Sequence, residues 1–155
     1  VIIMNQAARL YWDEYWQENE QPSTVSAWAF GAQADELAQL VIDGVKTATC
    51  SAYILYEIEN EPLPTTDDYS IILNSADEPV AIIKTEEVTL TPMNEVTAEF
   101  ARAEGEGDRS YQYWKDEHEK FFKTALKEFG YEFSEDLLLV CERFSLVDVK
   151  RQNKL

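Results

Sequence analysis

Apolar residues at Ala8, Tyr11, Trp12, Tyr15 and Trp16 fall at helical spacing, and the pattern ends at Asn19 before Pro22, which predicts an amphipathic N-terminal helix. The segment TVSAWAFG (24–31) reads as extended. A second helical stripe runs through Ala34, Leu37, Ala38 and Val41 and stops at Gly44, since glycine enters the left-handed conformation without steric cost. For Tyr53 to Glu59 periodicity does not choose between strand and helix. YSIILN (69–74) and PVAIIKTEEVTL (79–90) are β-rich runs joined by a turn around Ala76 to Pro79, the pattern of a hairpin. Asn94 is placed to cap a short helix carrying Val96, Phe100 and Ala103. That helix runs into the loop Glu104-Gly105-Glu106-Gly107-Asp108-Arg109. Ser110 then caps a long helix to Phe129, with Trp114, Phe121, Phe122 and Ala125 inward and Gly130 as its stop. LLLVCERFSLVDV (137–149) reads as a closing strand before a polar tail. No linker, repeat or low-complexity stretch interrupts this order, so the class is α+β, with the strands in a barrel or curled sheet.

The length of 155 residues suits one domain, with core enough to fold without disulfides or metal, and the four Trp, eight Tyr and seven Phe support that. Charge narrows the partners. With 30 Asp and Glu against 13 Lys and Arg, the formal net charge is −17, and an acidic field repels a polyanion whose binding depends on counterion release. Duplex DNA is therefore not an expected partner, whereas a single nucleoside or nucleotide remains compatible. The opening VIIMNQAARL lacks the basic start and apolar core of a signal peptide, and no run approaches the roughly 18 apolar residues of a membrane span. Together with only two cysteines, Cys50 and Cys141, this leads to the expectation of a cytoplasmic protein without a membrane partner. The residues before Met4 read as peripheral.

Several chemistries lack their residues. The single histidine, His118, lies in the charged run KDEHEKFFK, where a solvated helix face is the expectation. Without a second histidine, a Ser-His-Asp or Cys-His apparatus and a zinc site are poorly supplied. No glycine-rich dinucleotide or phosphate loop is present, and no cofactor is expected. The alternating acids at 104, 106 and 108 imitate the start of an EF-hand, but Arg109 replaces the required glycine and Lys115 the terminal glutamate. Glu106 and Asp108 are equally read as complements to the positive end of the helix that follows.

At GVKTATCS, the order glycine, one residue, lysine, two residues, threonine resembles the G-x-K-x-x-T signature of the ASCH family. It is accompanied in family order by WAFG, YSIIL, PVAIIKTEEV, EFARAEGEGDRS, YW and HEKFF, over roughly residues 25 to 145. The resemblance implies a PUA-like small β-barrel flanked by helices and spanning residues 23–150, with residues 1–22 as an added N-terminal helical extension. Some family members resemble RNA-binding or RNA-cleaving modules, while small bacterial ones resemble amidohydrolases that remove the acetyl group of 4-acetylcytidine. In the latter, a lysine, a threonine and a glutamate are catalytic, and by motif they correspond here to Lys46, Thr49 and Glu104. Compared with that small type, the chain adds the N-terminal helix and the EGEGDRSYQYW block, and it carries Asp67-Asp68 where relatives often have glycine.

The resemblance thus directs attention to a nucleoside-like small molecule or single-stranded RNA, with catalytic residues Lys46, Thr49 and Glu104. Further contacts are expected from Ser51, Trp28 and Phe30, and from Glu106, Asp108, Arg109 and Ser110 of the acidic loop. Ser51 shares the face of Thr49 if a strand has begun there, and one or two aromatics can stack on a base. Residues three apart in a strand point oppositely, so Lys46 and Thr49 cooperate only if the chain turns between them. For amide hydrolysis, Thr49 would attack, neutral Lys46 would take its proton and Glu104 would protonate or orient the leaving nitrogen. A lysine with a reference value of about 10.4 serves as a base only if burial lowers it by roughly three units, and an ionised Glu104 opposes that shift. If the two form an ion pair, Lys46 is a clamp for an oxyanion or phosphate, and the base is a carboxylate acting through water. Lys46 with Ser110 around a phosphate is the ribonuclease alternative, and a packing ion pair the non-functional one.

Overall fold

Hydrophobic alternation along two long strands organises the molecule. The computed structural model describes residues 4–151, so residues 1–3 and the end of the polar tail lie outside the described residues. In chain order the elements are α1 (Gln6–Trp16), β1 (Val25–Ala29), α2 (Ala34–Ile42), β2 (Ala48–Ala52), α3 (Tyr53–Ile58), β3 (Tyr69–Leu73), β4 (Pro79–Pro92), a 3-10 turn (Met93–Glu95), α4 (Ala98–Glu104), α5 (Tyr111–Lys127) and β5 (Leu138–Val149). The strands form one curled half-barrel sheet in the order β1-β3-β4-β5-β2. β1 runs parallel to β3, and every other pairing is antiparallel. The α+β class and the PUA-like curled sheet are as the sequence led one to expect.

Curvature comes from β4. It pairs with β3 at its start and with β5 along nearly its whole length, and the register shifts at Ile82/Ile83 and at Thr85/Glu87. Extra residues on one strand bend and twist it, which lets the sheet curl. Alternation then sends Ile71, Leu73 and Ile82 to one face, where Ala8, Tyr11 and Trp12 of α1 cover them. Ile72, Ala81 and Ile83 go to the other, beneath Ala38 and Val41 of α2. The third cluster joins Ala48, Ala52, Leu139 and Cys141 to Phe100 and Ala101 of α4 and to Trp114 and Phe122 of α5. No helix among the described residues is long and apolar enough to cross a membrane.

Local chemistry sets the boundaries, with some departures from the sequence pattern. Tyr53 to Glu59 resolves as the short helix α3 and its cap. The cap of α4 is Thr97, whose hydroxyl accepts from the Phe100 N–H at 3.1 Å, while Asn94 sits in the preceding 3-10 turn. Helix α5 ends at Lys127 and turns its inner stripe onto Trp114, Phe122 and Leu126, leaving Phe121 43% exposed. Asp67, where a glycine was noted in relatives, has a φ of 76°. Asp tolerates this left-handed region better than most residues, and neighbouring Asp68 fixes the turn by accepting from the Thr65 N–H and hydroxyl.

One strand position carries a titratable group against the pattern. Glu142 on β5 is half-buried and pairs in register with Thr49 of β2 and Val88 of β4. Burial, resisted by a 3.3 Å hydrogen bond from the Thr85 hydroxyl and aided by Asp68, pushes its carboxyl from 4.5 up to about 7. A carboxyl with a raised folded value binds its proton more tightly folded than unfolded. Its contribution therefore turns unfavourable as pH rises from 4.5 through about 7. Glu142→Gln is expected to raise stability at pH 8 by about 1–3 kcal/mol and to add little at pH 4. Denaturant melts at the two pH values check this, and an equal effect at both would contradict it.

Candidate functional site

The turn that the lysine motif requires is built at the end of α2. Gly44, with a φ of 75°, lets the Gly44 N–H reach the Val41 carbonyl at 3.1 Å and the Val45 N–H reach the Leu40 carbonyl at 2.9 Å. These two bonds close the helix in a Schellman arrangement and redirect the chain before β2. The end of α4 packs directly onto this turn. A Cβ on Gly105, whose φ is 77°, would stand 2.6 Å from the Val45 carbonyl oxygen, so only glycine permits the approach. The Thr47 N–H donates to the Ala103 carbonyl at 2.8 Å, which locks the two segments together.

That approach places Lys46 beside Glu104, each 1% exposed. The Lys46 ammonium donates to the Ala48 carbonyl at 2.9 Å, to Oε2 of Glu106 at 3.0 Å and to Oε1 of Glu104 at 3.1 Å, with the Glu104 carbonyl at 3.4 Å. β2 is an edge strand, and Lys46 thereby caps a carbonyl on its free rim. Burial disfavours the lysine charge, but Glu104 and then Glu106 outweigh it and hold the group above its ordinary value. Glu104 responds oppositely. Burial would raise its carboxyl, yet Lys46, His118 and Trp114 bring it down to about 2. Both partners are charged around neutrality, so a neutral Lys46 base is not the resting state.

The other oxygen of Glu104 collects further donors. Oε2 accepts from Nε1 of Trp114 and from Sγ of Cys50 at 3.2 Å, and Nε2 of His118 lies 3.4 Å away. His118 is thus not the solvated residue that its charged neighbours suggested. Its side chain is 12% exposed and stacks on Trp114 with ring centroids 4.5 Å apart. The signal was present in the sequence: Trp114, His118 and Phe122 recur every four residues, one stripe of a helix. Burial lowers the imidazole's affinity for a proton, but Glu104, the Trp114 carbonyl and Glu106 raise it overall.

These residues border a cavity of about 580 Å³ between β2, the loop after α4, and α5. Lys46, Thr49, Glu104, Phe30 and Glu106 all line it, as do Phe121 and His118. Phe30 also packs under the ammonium, 5.4 Å from ring centroid to Nζ. Other residues singled out in the sequence have structural partners. Trp28 meets Phe30 edge-on at 5.0 Å in the α2 core, and the Ser51 hydroxyl bonds that of Tyr56 at 2.7 Å. Asp108 accepts from the Ser110 N–H at 2.8 Å, the Ser110 hydroxyl caps α5 by accepting from the Tyr113 N–H, and Arg109 donates to the Arg102 carbonyl at the end of α4.

The ligating atoms of Cys50, Glu104 and His118 lie within 4.8 Å of one another, a grouping that counting histidines did not foresee. The carboxylate at its centre is already shared by Lys46 and Trp114. A divalent ion would have to displace protons from the thiol and imidazole beside a fixed ammonium, so the donor set suits proton chemistry better than metal binding. Because the pair is buried, Lys46→Met is expected to destabilise by about 3–5 kcal/mol through the stranded carboxylate. Adding Glu104→Gln should recover part of that loss. Thermal or denaturant melts of the single and double variants check the coupling, and purely additive losses would contradict it.

The comparisons agree with the geometry. The sequence profile of the ASCH domain matches residues 26–148. The crystal structure of an ASCH domain from Lactobacillus crispatus JV V101 is similar at a TM-score of 0.88 and 32% identity, covering 92% of this chain and 95% of that one. A protein from Enterococcus faecalis V583 is similar at a TM-score of 0.82 and 38% identity, with coverage of 93% and 90%. Among curated proteins there is no match. A profile over most of the chain, two structures at these identities and a buried lysine at the signature turn lead to one conclusion: the chain belongs to the ASCH domain family.

Proposed function

We propose that the cavity is the active site of an amidohydrolase that removes an acyl group from the exocyclic amine of a nucleoside such as 4-acetylcytidine. The observation that carries this reading is the ring of acceptors around Lys46. Its ammonium is engaged by Glu104, Glu106 and the Ala48 carbonyl at 2.9–3.1 Å, with Glu106 on the more open side at 20% exposure. A phosphate entering there would meet a carboxylate before the lysine. The net charge of −17 adds to that repulsion. A neutral ligand fits better, and Phe30 and Phe121 offer flat apolar surface in a cavity of about 580 Å³, within the usual range for small-molecule sites.

In this reading Lys46, whose three protons are all donated, holds Glu104 and Glu106 in place, and the Thr49 hydroxyl is the donor that faces the oxyanion of the tetrahedral intermediate. Glu106, less buried than Glu104, is the carboxylate that activates the attacking water. Thr49 lines the wall and orients the acyl carbonyl. The RNA-directed alternatives lose support because the Ser110 hydroxyl is occupied as a helix cap and Lys46 is enclosed by acids.

Incubation of the purified protein with 4-acetylcytidine, followed by ultraviolet absorbance, is expected to show turnover. Thr49→Val is expected to lower kcat/KM by about 10²-fold without loss of fold. Absence of turnover by the unmodified protein would remove the proposal. Labelled single-stranded RNA titrated at low and high salt is expected to bind weakly at both. Tight binding that weakens with salt would replace the hydrolase by an RNA-binding module.

A further inference from the structure

Both ring nitrogens of His118 face oxygens that can only accept. Nδ1 lies 2.8 Å from the Trp114 carbonyl, one turn back on α5, and Nε2 lies 3.4 Å from Oε2 of Glu104. A neutral imidazole has one donor and one acceptor nitrogen. Either neutral tautomer would therefore set a nitrogen lone pair against an oxygen lone pair at one of the two contacts. The imidazolium avoids this, donating from Nδ1 to the Trp114 carbonyl and facing the Glu104 carboxylate from Nε2 as an ion pair at 3.4 Å. Glu104 cannot relieve the conflict by carrying the proton itself, because Lys46 and Trp114 donate to the same carboxylate and hold it ionised. The ring is also held in place, stacked on Trp114 at 4.5 Å and tilted against Phe122 at 5.9 Å. Its remaining exposed edge opens on the cavity.

We propose that His118 is the proton donor of this pocket, an imidazolium that passes its Nε2 proton through Oε2 of Glu104 to the leaving amine. The inference rests on the hydrolytic reading above, which otherwise lacks an acid. Glu104, at about 2, carries no proton near neutrality, and Lys46 holds its own more tightly than an ordinary lysine. As the tetrahedral intermediate collapses, the C–N bond breaks and its electron pair stays on nitrogen. The Nε2 proton moves to Oε2 and from there to that nitrogen, releasing the neutral amine. His118 is left neutral and is recharged, through water in the cavity, by the proton that Glu106 took from the attacking water, so both groups return to their starting states.

Charge in the surroundings favours the protonated ring. Glu104 and Glu106 face it from the end of α4 and the following loop, Cys50 from β2 and Lys46 from the turn before β2. On its own helix Tyr113, Glu117 and Lys120 share the cavity wall. The inner group balances two cations, Lys46 and His118, against two carboxylates, Glu104 and Glu106. Loss of the His118 proton leaves that group with a net negative charge.

His118 is the chain's one histidine, so its ring signals in nitrogen and proton NMR of the intact protein are unambiguous. Both nitrogens are expected to carry protons at pH 6.5, with a titration midpoint above that ordinary value and a lower midpoint in Glu104→Gln. With 4-acetylcytidine, kcat is expected to fall on the alkaline side at the same midpoint. His118→Gln can still donate a hydrogen bond to Glu104 but has no proton to give. It is expected to lower kcat by about 10²-fold or more with little change in KM. A neutral ring at pH 6.5, or a midpoint at or below it, overturns the proposal whatever the chain hydrolyses. A His118→Gln protein that folds like the parent and keeps its kcat does so as well. A doubly protonated ring in a protein that turns over no N-acylated nucleoside instead removes the hydrolytic reading, and the donor role falls with it.

Discussion

The ion pair of Lys46 and Glu104 sits almost wholly out of water, where each ion forfeits several kcal/mol of hydration even after relaxation. Coulomb attraction offsets such a loss only when every remaining proton and lone pair also finds a partner. The surrounding fold supplies those partners from four places. The free rim of β2 offers the Ala48 carbonyl, the end of α4 its Glu104 carbonyl, the following loop Glu106, and α5 the Trp114 and His118 rings, while β2 adds the Cys50 thiol. The cation also lies where the carbonyl end of a helix favours positive charge. Gly44 and Gly105 matter for the same reason: each permits the backbone path that brings two buried charges within 3.1 Å.

Chemistry in the pocket follows from that pairing. A lysine buried alone would lose its proton readily and serve as a base. Here the carboxylates reverse the effect of burial, so at rest the lysine is a cation and the adjacent glutamate an anion. Proton traffic has to pass through groups nearer their titration range, and His118 is the one in direct contact with the pair. The acids that stabilise the lysine also set the kind of ligand admitted, because they screen it from anything anionic.

How much was legible in the sequence varies with the kind of signal. Elements that bury one stripe against the sheet, such as α1 with Ala8, Tyr11 and Trp12, follow directly from spacing. On α5 two adjacent stripes were apolar, one through Phe121 and Ala125, the other through Phe122 and Leu126. The cluster that holds Ala48 and Leu139 took Phe122, and Phe121 was left to the cavity. Asn94, expected to cap α4, is taken into the 3-10 turn after β4, and Thr97 caps the helix instead. Tyr53 to Glu59 carried no decisive period because α3 spans only six residues and buries no side chain fully.

By itself the sequence determined the α+β class, the acidic surface, the glycine-ended turn before Lys46 and the family resemblance that singled out Lys46, Thr49 and Glu104. Each depends on local spacing, on composition or on a contiguous motif. Only the tertiary structure decided that Lys46 and Glu104, 58 positions apart, are a charged pair, and that His118 faces them instead of solvent. Protonation is a property of the surroundings. The energy of a buried charge is set by which dipoles and carboxylates lie within a few ångströms, and those neighbours are assembled from segments distant in the chain.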